Sequence, residues 1–130
     1  MNTQKLIIAG AGPAGVSAAL YATRSGITPL VLYKDGGALE KAVKIENYYG
    51  MPNPLSGKDL YKNGLKQLQS LSVPTRKEEL LSIEYNEGYL VHTTTEVFRT
   101  QALILATGTK RNTLSLKELK KYEGSGISYC

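Results

Sequence analysis

The residues of this sequence best spaced for chemistry are glycines. Gly10-x-Gly12-x-x-Gly15 follows a short apolar run, Leu6-Ile7-Ile8-Ala9, and precedes an alanine-rich stretch from Val16 to Ser25. Each glycine has its own use. Gly10 permits a tight turn, Gly12 lets the backbone approach a pyrophosphate, and Gly15 lets a helix lie close against a strand. The phosphates would rest at the positive end of the helix dipole, where the first N–H groups lack partners within the helix. In a strand–turn–helix setting this spacing points to dinucleotide binding. The same pattern asks for an acid at the end of the second strand, about 20 residues on. That place holds Tyr33, followed by Lys34 and Asp35. Asp35 is either the ribose acceptor or a turn residue before Gly36-Gly37, and Tyr33 or Lys34 could serve the same edge of the nucleotide.

The remaining candidates are weaker. His92 is the single histidine, so neither a His-based metal site nor a His-centred triad can be built on it. It reads as a solvated or packing residue on a hairpin. Glu78-Glu79 reads as a solvated strand edge rather than a catalytic carboxylate pair. Tyr48-Tyr49 suits loop packing as well as stacking on a ligand, and Tyr61, Tyr85 and Tyr89 take half-buried places in amphipathic elements. The one cysteine, Cys130, excludes an intramolecular disulfide and a multi-Cys metal site. Taken alone it is a terminal thiol that dimerises or oxidises rather than turning over. No metal site is expected.

These residues need elements to position them. Leu6–Ala9 and Pro29–Tyr33 read as strands buried on both faces, with Pro13 at the first position of the intervening helix and Gly26 as its stop. Such a βαβ unit makes the two strands parallel, with a right-handed crossover. Residues 34–57 contain two prolines and four glycines and read as a long ordered loop, the kind that usually carries function. Ser56 with Asp59 starts a second helix, whose Leu60, Leu65, Leu68 and Leu71 share a core-facing side. Alternation at Leu81, Ile83 and Tyr85, a turn at Asn86-Glu87-Gly88, and alternation again at Tyr89, Val91 and Thr93 give a hairpin. Thr94-Thr95-Glu96 turns into a further strand at Val97–Arg99, and Ala102–Ala106 reads as a third buried run, closed by Thr107-Gly108-Thr109.

At 130 residues, with 42% hydrophobic and 21% charged residues, the chain suits one globular domain rather than a disordered tail. The net charge is +5. It is concentrated near the end, where Lys110, Arg111, Lys117, Lys120 and Lys121 outnumber Glu118 and Glu123. With no aromatic platform or recognition motif beside it, this reads as a solvated linker face rather than a nucleic-acid surface. No apolar run is long enough for a membrane span and no secretory signal is evident, so a cytoplasmic setting is expected.

Five separate pieces carry a family resemblance. Gly10 to Arg24 (GAGPAGVSAALYATR), Gly36-Gly37-Ala38-Leu39, Ile45 to Gly50 (IENYYG), Ala102 to Thr109 (ALILATGT) and Gly124 to Cys130 (GSGISYC) occur in the order found in bacterial thioredoxin reductases and related two-dinucleotide flavoproteins. The sequence resembles the FAD-binding half of that family. The resemblance implies that Gly10, Gly12, Pro13, Ala14 and Gly15 hold the FAD pyrophosphate. It places Tyr33, Lys34 and Asp35 at the adenosine end, and Gly36, Gly37, Ala38 and Leu39 along the flavin and ribityl. Asn47 would bond near the ribityl or isoalloxazine, Glu79 and Leu80 would meet the adenine, and Ala106, Thr107 and Gly108 would close over the cofactor. Cys130 matches the first cysteine of the redox CxxC. Two departures stand out: Ala38 replaces the usual Gln, and Tyr33 replaces the common ribose-binding Glu.

The resemblance implies an α/β fold, a Rossmann-like three-layer ββα sandwich with helices on one face of a parallel sheet and an antiparallel meander on the other. Residues 1–112 would form the FAD-binding part and 113–130 a crossover toward an NAD(P)H domain that the chain lacks, so a truncated piece of such an enzyme is expected. The whole family member passes electrons from NAD(P)H through FAD to a disulfide, and then to a thioredoxin-like dithiol partner. The alternatives are a non-catalytic dinucleotide-binding module or subunit of a split flavoenzyme, and a plain NAD-binding domain; the GGAL, ENYYG and ATG pieces favour FAD. A sheet edge left without its last strand should be covered by self-association into a homo-oligomer or by residues 110–130.

Overall fold

The computed structural model describes residues 2–110 and 112–128. The apolar run Leu6–Ala9 is the buried end of β1 (Asn2–Ala9), which lies at the centre of the sheet. β2 (Leu30–Tyr33) runs parallel on one side and β6 (Val97–Leu105) parallel on the other. β3 (Thr75–Lys77) extends the parallel part beyond β2. β4 (Leu80–Tyr85), β5 (Tyr89–Thr93) and β6 form an antiparallel meander, completing the strand order β3-β2-β1-β6-β5-β4.

Side-chain alternation along β1 and β2 assigns the layers. Leu6, Ile8 and Val31 pack with Val16 and Ala19 of α1 (Pro13–Arg24) and with Tyr61 and Leu68 of α2 (Gly57–Ser70). Ile7, Leu30 and Leu32, on the opposite face, pack with Val91 and Phe98 of the meander. One sheet therefore carries helices on one face and its own curled continuation on the other, the three-layer α/β arrangement expected.

Local signals hold at the helix ends. Pro13 begins α1, and past its end Gly26 takes φ +81° while the Ile27 N–H donates to the Ala22 carbonyl. The Ser56 Oγ accepts the Asp59 N–H at 3.1 Å and donates to the Asp59 carboxylate at 2.7 Å, capping α2. Several expectations need correction. Residues 34–57 contain a 3-10 turn, Gly37–Lys41, and an isolated bridge between Ile45 and Leu55. The strand at 97–99 and the run at 102–106 are one strand, β6; Thr100 at its middle is fully buried, with its hydroxyl donating to the Ala102 carbonyl at 2.8 Å. The second half of that strand is not buried: Ile104 is 38% and Leu105 61% exposed. Residues 112–128 hold the four-residue helix α3 (Leu119–Tyr122) and do not cover those side chains. Tyr61 is buried rather than half-buried, whereas Tyr85 is exposed and meets Tyr89 edge to face. Leu71 falls outside the core.

Candidate functional site

The site begins where β1 ends. Gly10 takes φ +111°, its N–H donating to the Leu32 carbonyl at 2.7 Å, and a Cβ there would run into the Ala106 carbonyl. Only glycine meets both demands. A Cβ on Gly15 would strike the Gly10 carbonyl, so this residue sets how closely α1 lies against the turn. Gly12 differs: a Cβ there would meet nothing within 4 Å. The open side of the turn faces the start of α1, which has Gly12 as its cap, no side chain bonded to its first N–H groups, and no acid in its first turn. That leaves the positive helix end available to an anion.

The turn forms one wall of a cleft of about 420 Å³, within the span of small-molecule sites (about 300–1,000 Å³). Four distant segments meet there: Gly10–Pro13 from the turn, Tyr33–Leu39 from the end of β2 onward, Glu78–Leu80 before and at the start of β4, and Ala106–Thr109 after β6. The last of these is joined to the turn by the Ala106 N–H, which donates to the Ala9 carbonyl at 2.8 Å. All the expected cofactor residues line the cleft except Ala14, Gly15 and Asn47. Ala14 and Gly15 lie in the first turn of α1, and Asn47 is exposed in the loop. Ala9, Ala11, Leu32, Glu78 and Thr109 also line it and were not assigned to the cofactor from the sequence. All five are sequence neighbours of residues that were, and adjacency is the signal that could have found them. Cys130 lies outside the described residues.

The segment after β2 is held from below. The Asp35 carboxylate accepts the Gly37 N–H at 2.9 Å, which makes it a turn residue. The Glu40 carboxylate takes the Gly36 N–H at 3.3 Å. The Gly57 N–H donates to the Ala42 carbonyl at 2.8 Å, and a Cβ on Gly57 would strike the Leu39 carbonyl, so the start of α2 buttresses the loop. The Tyr33 ring lies edge-on to Tyr61, with centroids 6.5 Å apart. Burial, with smaller contributions from Tyr33, Glu40 and Asp35, pushes the Tyr61 hydroxyl up to about 12.

At the rim, Lys34 Nζ donates to Glu79 Oε1 at 2.8 Å, and that hydrogen bond with the carboxylate charge raises the lysine's pKa. Glu78 behaves differently from its neighbour and from the solvated reading of the pair. Its side chain is only 9% exposed and accepts the Thr93 hydroxyl at 2.6 Å. Hydrogen bonds from Thr93 and Thr95, aided by the Arg76 charge, lower its pKa against the opposing effect of burial. His92 stands on β5 with Nε2 3.4 Å from Glu84 Oε1, in no hydrogen-bonding geometry. Among the described residues no three His, Cys, Asp or Glu side chains cluster as metal ligands. No described helix is long and apolar enough to cross a membrane.

A parallel sheet with a glycine turn and a cleft at the carboxyl ends of its strands defines the dinucleotide-binding α/β class. The chain belongs to the pyridine nucleotide-disulphide oxidoreductase family, whose profile matches residues 4–130. Within that family it is thioredoxin-reductase-like. It is 38% identical to the thioredoxin reductase of Aquifex aeolicus over 129 residues, covering 96% of this chain and 40% of that protein. It is 37% identical to the thioredoxin reductase of Ureaplasma parvum over 128 residues, again 96% of this chain and 41% of that protein. The solved thioredoxin reductase of T. acidophilum superposes with a TM-score of 0.82 at 33% identity, over 100% of this chain and 43% of that one. The chain thus spans about two fifths of the length of the relatives it matches.

Proposed function

We propose that these residues form the FAD-binding unit of a thioredoxin-reductase-like oxidoreductase, which passes electrons from NAD(P)H through FAD to a redox-active disulfide and on to a thioredoxin-like protein. The reading rests on one observation above the others: the glycine turn, the Gly36–Leu39 loop, the start of β4 and the strand-end Ala106-Thr107-Gly108 converge on one cleft, although they are far apart in sequence. The uncapped start of α1 and the unobstructed side of Gly12 fit a pyrophosphate. In this assignment the first N–H groups of α1, at Ala14 and Gly15, bind the phosphates. Gly36, Gly37, Ala38 and Leu39 border the flavin and ribityl, with Asn47 as a hydrogen-bonding side chain from the following loop. Leu80 offers backbone at the adenine, and Ala106, Thr107 and Gly108 exclude water from the far wall. The flavin ring, when bound, supplies hydride and electron acceptance.

Cys130 takes the place of the first cysteine of the redox pair, and the nicotinamide-binding part belongs to sequence beyond residues 113–130, the crossover. The exposed Ile104 and Leu105 suit self-association in a cytoplasmic homo-oligomer. A visible absorption spectrum of the purified chain, before and after addition of FAD and removal of the free flavin, tests the cofactor. Retention or uptake of flavin that excess NAD does not displace is the expected result; a colourless chain that ignores added FAD overturns the reading. Light scattering over a concentration series tests the second part, which a monomer at every concentration refutes.

A further inference from the structure

We propose that Glu79, positioned by Lys34, is the carboxylate that reads the ribose of the bound adenine nucleotide, in place of an acid at the end of β2. This inference rests on the cofactor reading above. In dinucleotide-binding βαβ units the ribose lies at the end of the second strand, where an acid accepts a hydroxyl hydrogen. Here that position is Tyr33, whose ring is engaged with Tyr61. The function an acid would serve must come from elsewhere or be absent.

The carboxylates around this end of the cleft differ in how they are committed. Asp35 accepts the Gly37 N–H, Glu40 accepts the Gly36 N–H, and Glu78 accepts the Thr93 hydroxyl with its side chain almost wholly buried. Each of these bonds shapes the loop or the meander. Glu79 alone among them is held by a side chain from the residue that follows β2: Lys34 Nζ donates to its Oε1 at 2.8 Å. Its Oε2 accepts no hydrogen bond among the described residues. The backbone beneath it is fixed, because the Thr94 N–H donates to the Glu79 carbonyl at 3.1 Å. Glu79 lines the cleft and is 43% exposed in its side chain, so a ligand can reach it. A carboxylate with one oxygen fixed by a cation, and the other taken by no donor among the described residues, is well suited to accept from a sugar hydroxyl.

The same pair sets what is refused. A phosphate on the ribose would meet the Glu79 charge, while the lysine that could have welcomed it is already engaged. The cleft therefore selects an unphosphorylated adenosine ribose. Lys34 acts through Glu79 and is a positioning residue.

The test is competition of ADP, 2′-deoxy-ADP, 3′-deoxy-ADP and adenosine 2′,5′-bisphosphate against FAD, read by flavin fluorescence. The unaltered chain should bind ADP about tenfold more tightly than one of the deoxy compounds, the size of one charge-assisted hydrogen bond at a partly exposed site. Glu79→Ala should lose that preference by weakening ADP alone, and should raise the relative affinity of the 2′,5′-bisphosphate. Lys34→Ala should reproduce part of the loss and Lys34→Arg should restore it, a pattern that a merely structural pair would not give. Glu79→Ala overturns the proposal if it binds every compound as before, or if it weakens ADP and both deoxy compounds equally. An unaltered chain that binds FAD but does not distinguish ADP from either deoxy compound also overturns it, leaving the cofactor reading intact. An unaltered chain that binds neither FAD nor ADP overturns the cofactor reading and this inference with it.

Discussion

The two halves of β6 make an instructive pair. Val97–Thr100 is hydrogen-bonded on both edges, parallel to the start of β1 and antiparallel to β5, and both Phe98 and Thr100 are fully buried. The half that follows pairs with Leu6–Ala9 on one edge only, and its other edge has no strand among the described residues. Yet the second half is the more apolar: Ala102-Leu103-Ile104-Leu105 against Val97-Phe98-Arg99-Thr100. Burial in this strand follows the neighbours available, not local hydrophobicity. A threonine is enclosed because its hydroxyl is satisfied by the Ala102 carbonyl, while Leu105 stands 61% exposed. An apolar strand end with an open edge is a surface suited to being covered by another chain or segment.

The largest expected effect sets the two halves against each other. Phe98→Ala should cost about 3–5 kcal/mol, because a fully buried ring between the parallel sheet and the meander leaves a cavity. Leu105→Ala should cost less than about 1 kcal/mol at protein concentrations low enough to keep the chain monomeric, because within one chain little of its surface leaves water on folding. Urea unfolding of both variants measures the difference. Equal costs in the monomer would break the contrast, whereas a Leu105 cost that grows with protein concentration would be the mark of the proposed self-association.

The glycine turn repeats the contrast between an enclosed and an open position at closer range. Gly15→Ala should destabilise by about 2–3 kcal/mol, since its Cβ would press on the Gly10 carbonyl and force the helix away from the turn. Gly12→Ala should change stability by no more than about 1 kcal/mol, with nothing within 4 Å of the new methyl group, while weakening FAD uptake because the methyl occupies the phosphate approach. Parallel denaturation and flavin titration separate the two. A Gly12 variant that unfolds as readily as the Gly15 variant would show that the turn is closed on both sides.

The sequence was most legible where the determinants are local. The glycine spacing, Pro13, Gly26 and the Ser56–Asp59 cap each specify geometry within a few residues, and the structure places β1, α1, β2 and α2 accordingly. β3 carried no such signal: Thr75, Arg76 and Lys77 are all surface residues, and the segment becomes a strand because β2 offers an edge. Thr100-Gln101, which falls between the strand read at 97–99 and the run read at 102–106, is the middle of β6, since β1 runs alongside both parts. The cleft divides in the same way. Its glycine and Ala106-Thr107-Gly108 segments were readable from motifs, including those that the family resemblance supplied. The burial of Glu78 and the pairing of Lys34 with Glu79, 45 residues apart, depend on how the meander folds back onto the sheet.

The enclosed helical face should show itself at high pH. Tyr61 is raised from 10.0 to about 12, mainly by burial, so its stabilising contribution is complete below pH 10 and is lost as pH rises toward 12. The unfolded chain gives up this proton more readily, and ionisation therefore favours unfolding. Stability of the unaltered chain should decline across that window by of order 2 kcal/mol more than that of Tyr61→Phe, which has no hydroxyl to ionise. Matching alkaline limbs for the two proteins would place Tyr61 in contact with solvent and remove it from the enclosed side of the comparison.

The smallest effect concerns two adjacent residues that the fold treats differently. Glu78 is committed to the meander by the Thr93 hydroxyl, and its lowered pKa gives the sign of its pH dependence. The ionised form is favoured in the folded chain, so its contribution is present above the ordinary carboxylate value and is lost as pH falls through the lower folded value. Glu78→Gln keeps an acceptor for Thr93 and removes the titration. Its stability should therefore fall less steeply than that of the unaltered chain on the acid side, with the folds otherwise alike by circular dichroism. Glu79→Gln supplies the counterpart, since its exposed side chain bonds to Lys34 rather than to the meander. It should alter nucleotide selection, which Glu78→Gln should leave as it is. If the two variants were interchangeable in both measurements, the division between a structural carboxylate and a ligand-facing one, set by a single step along the chain, would not hold.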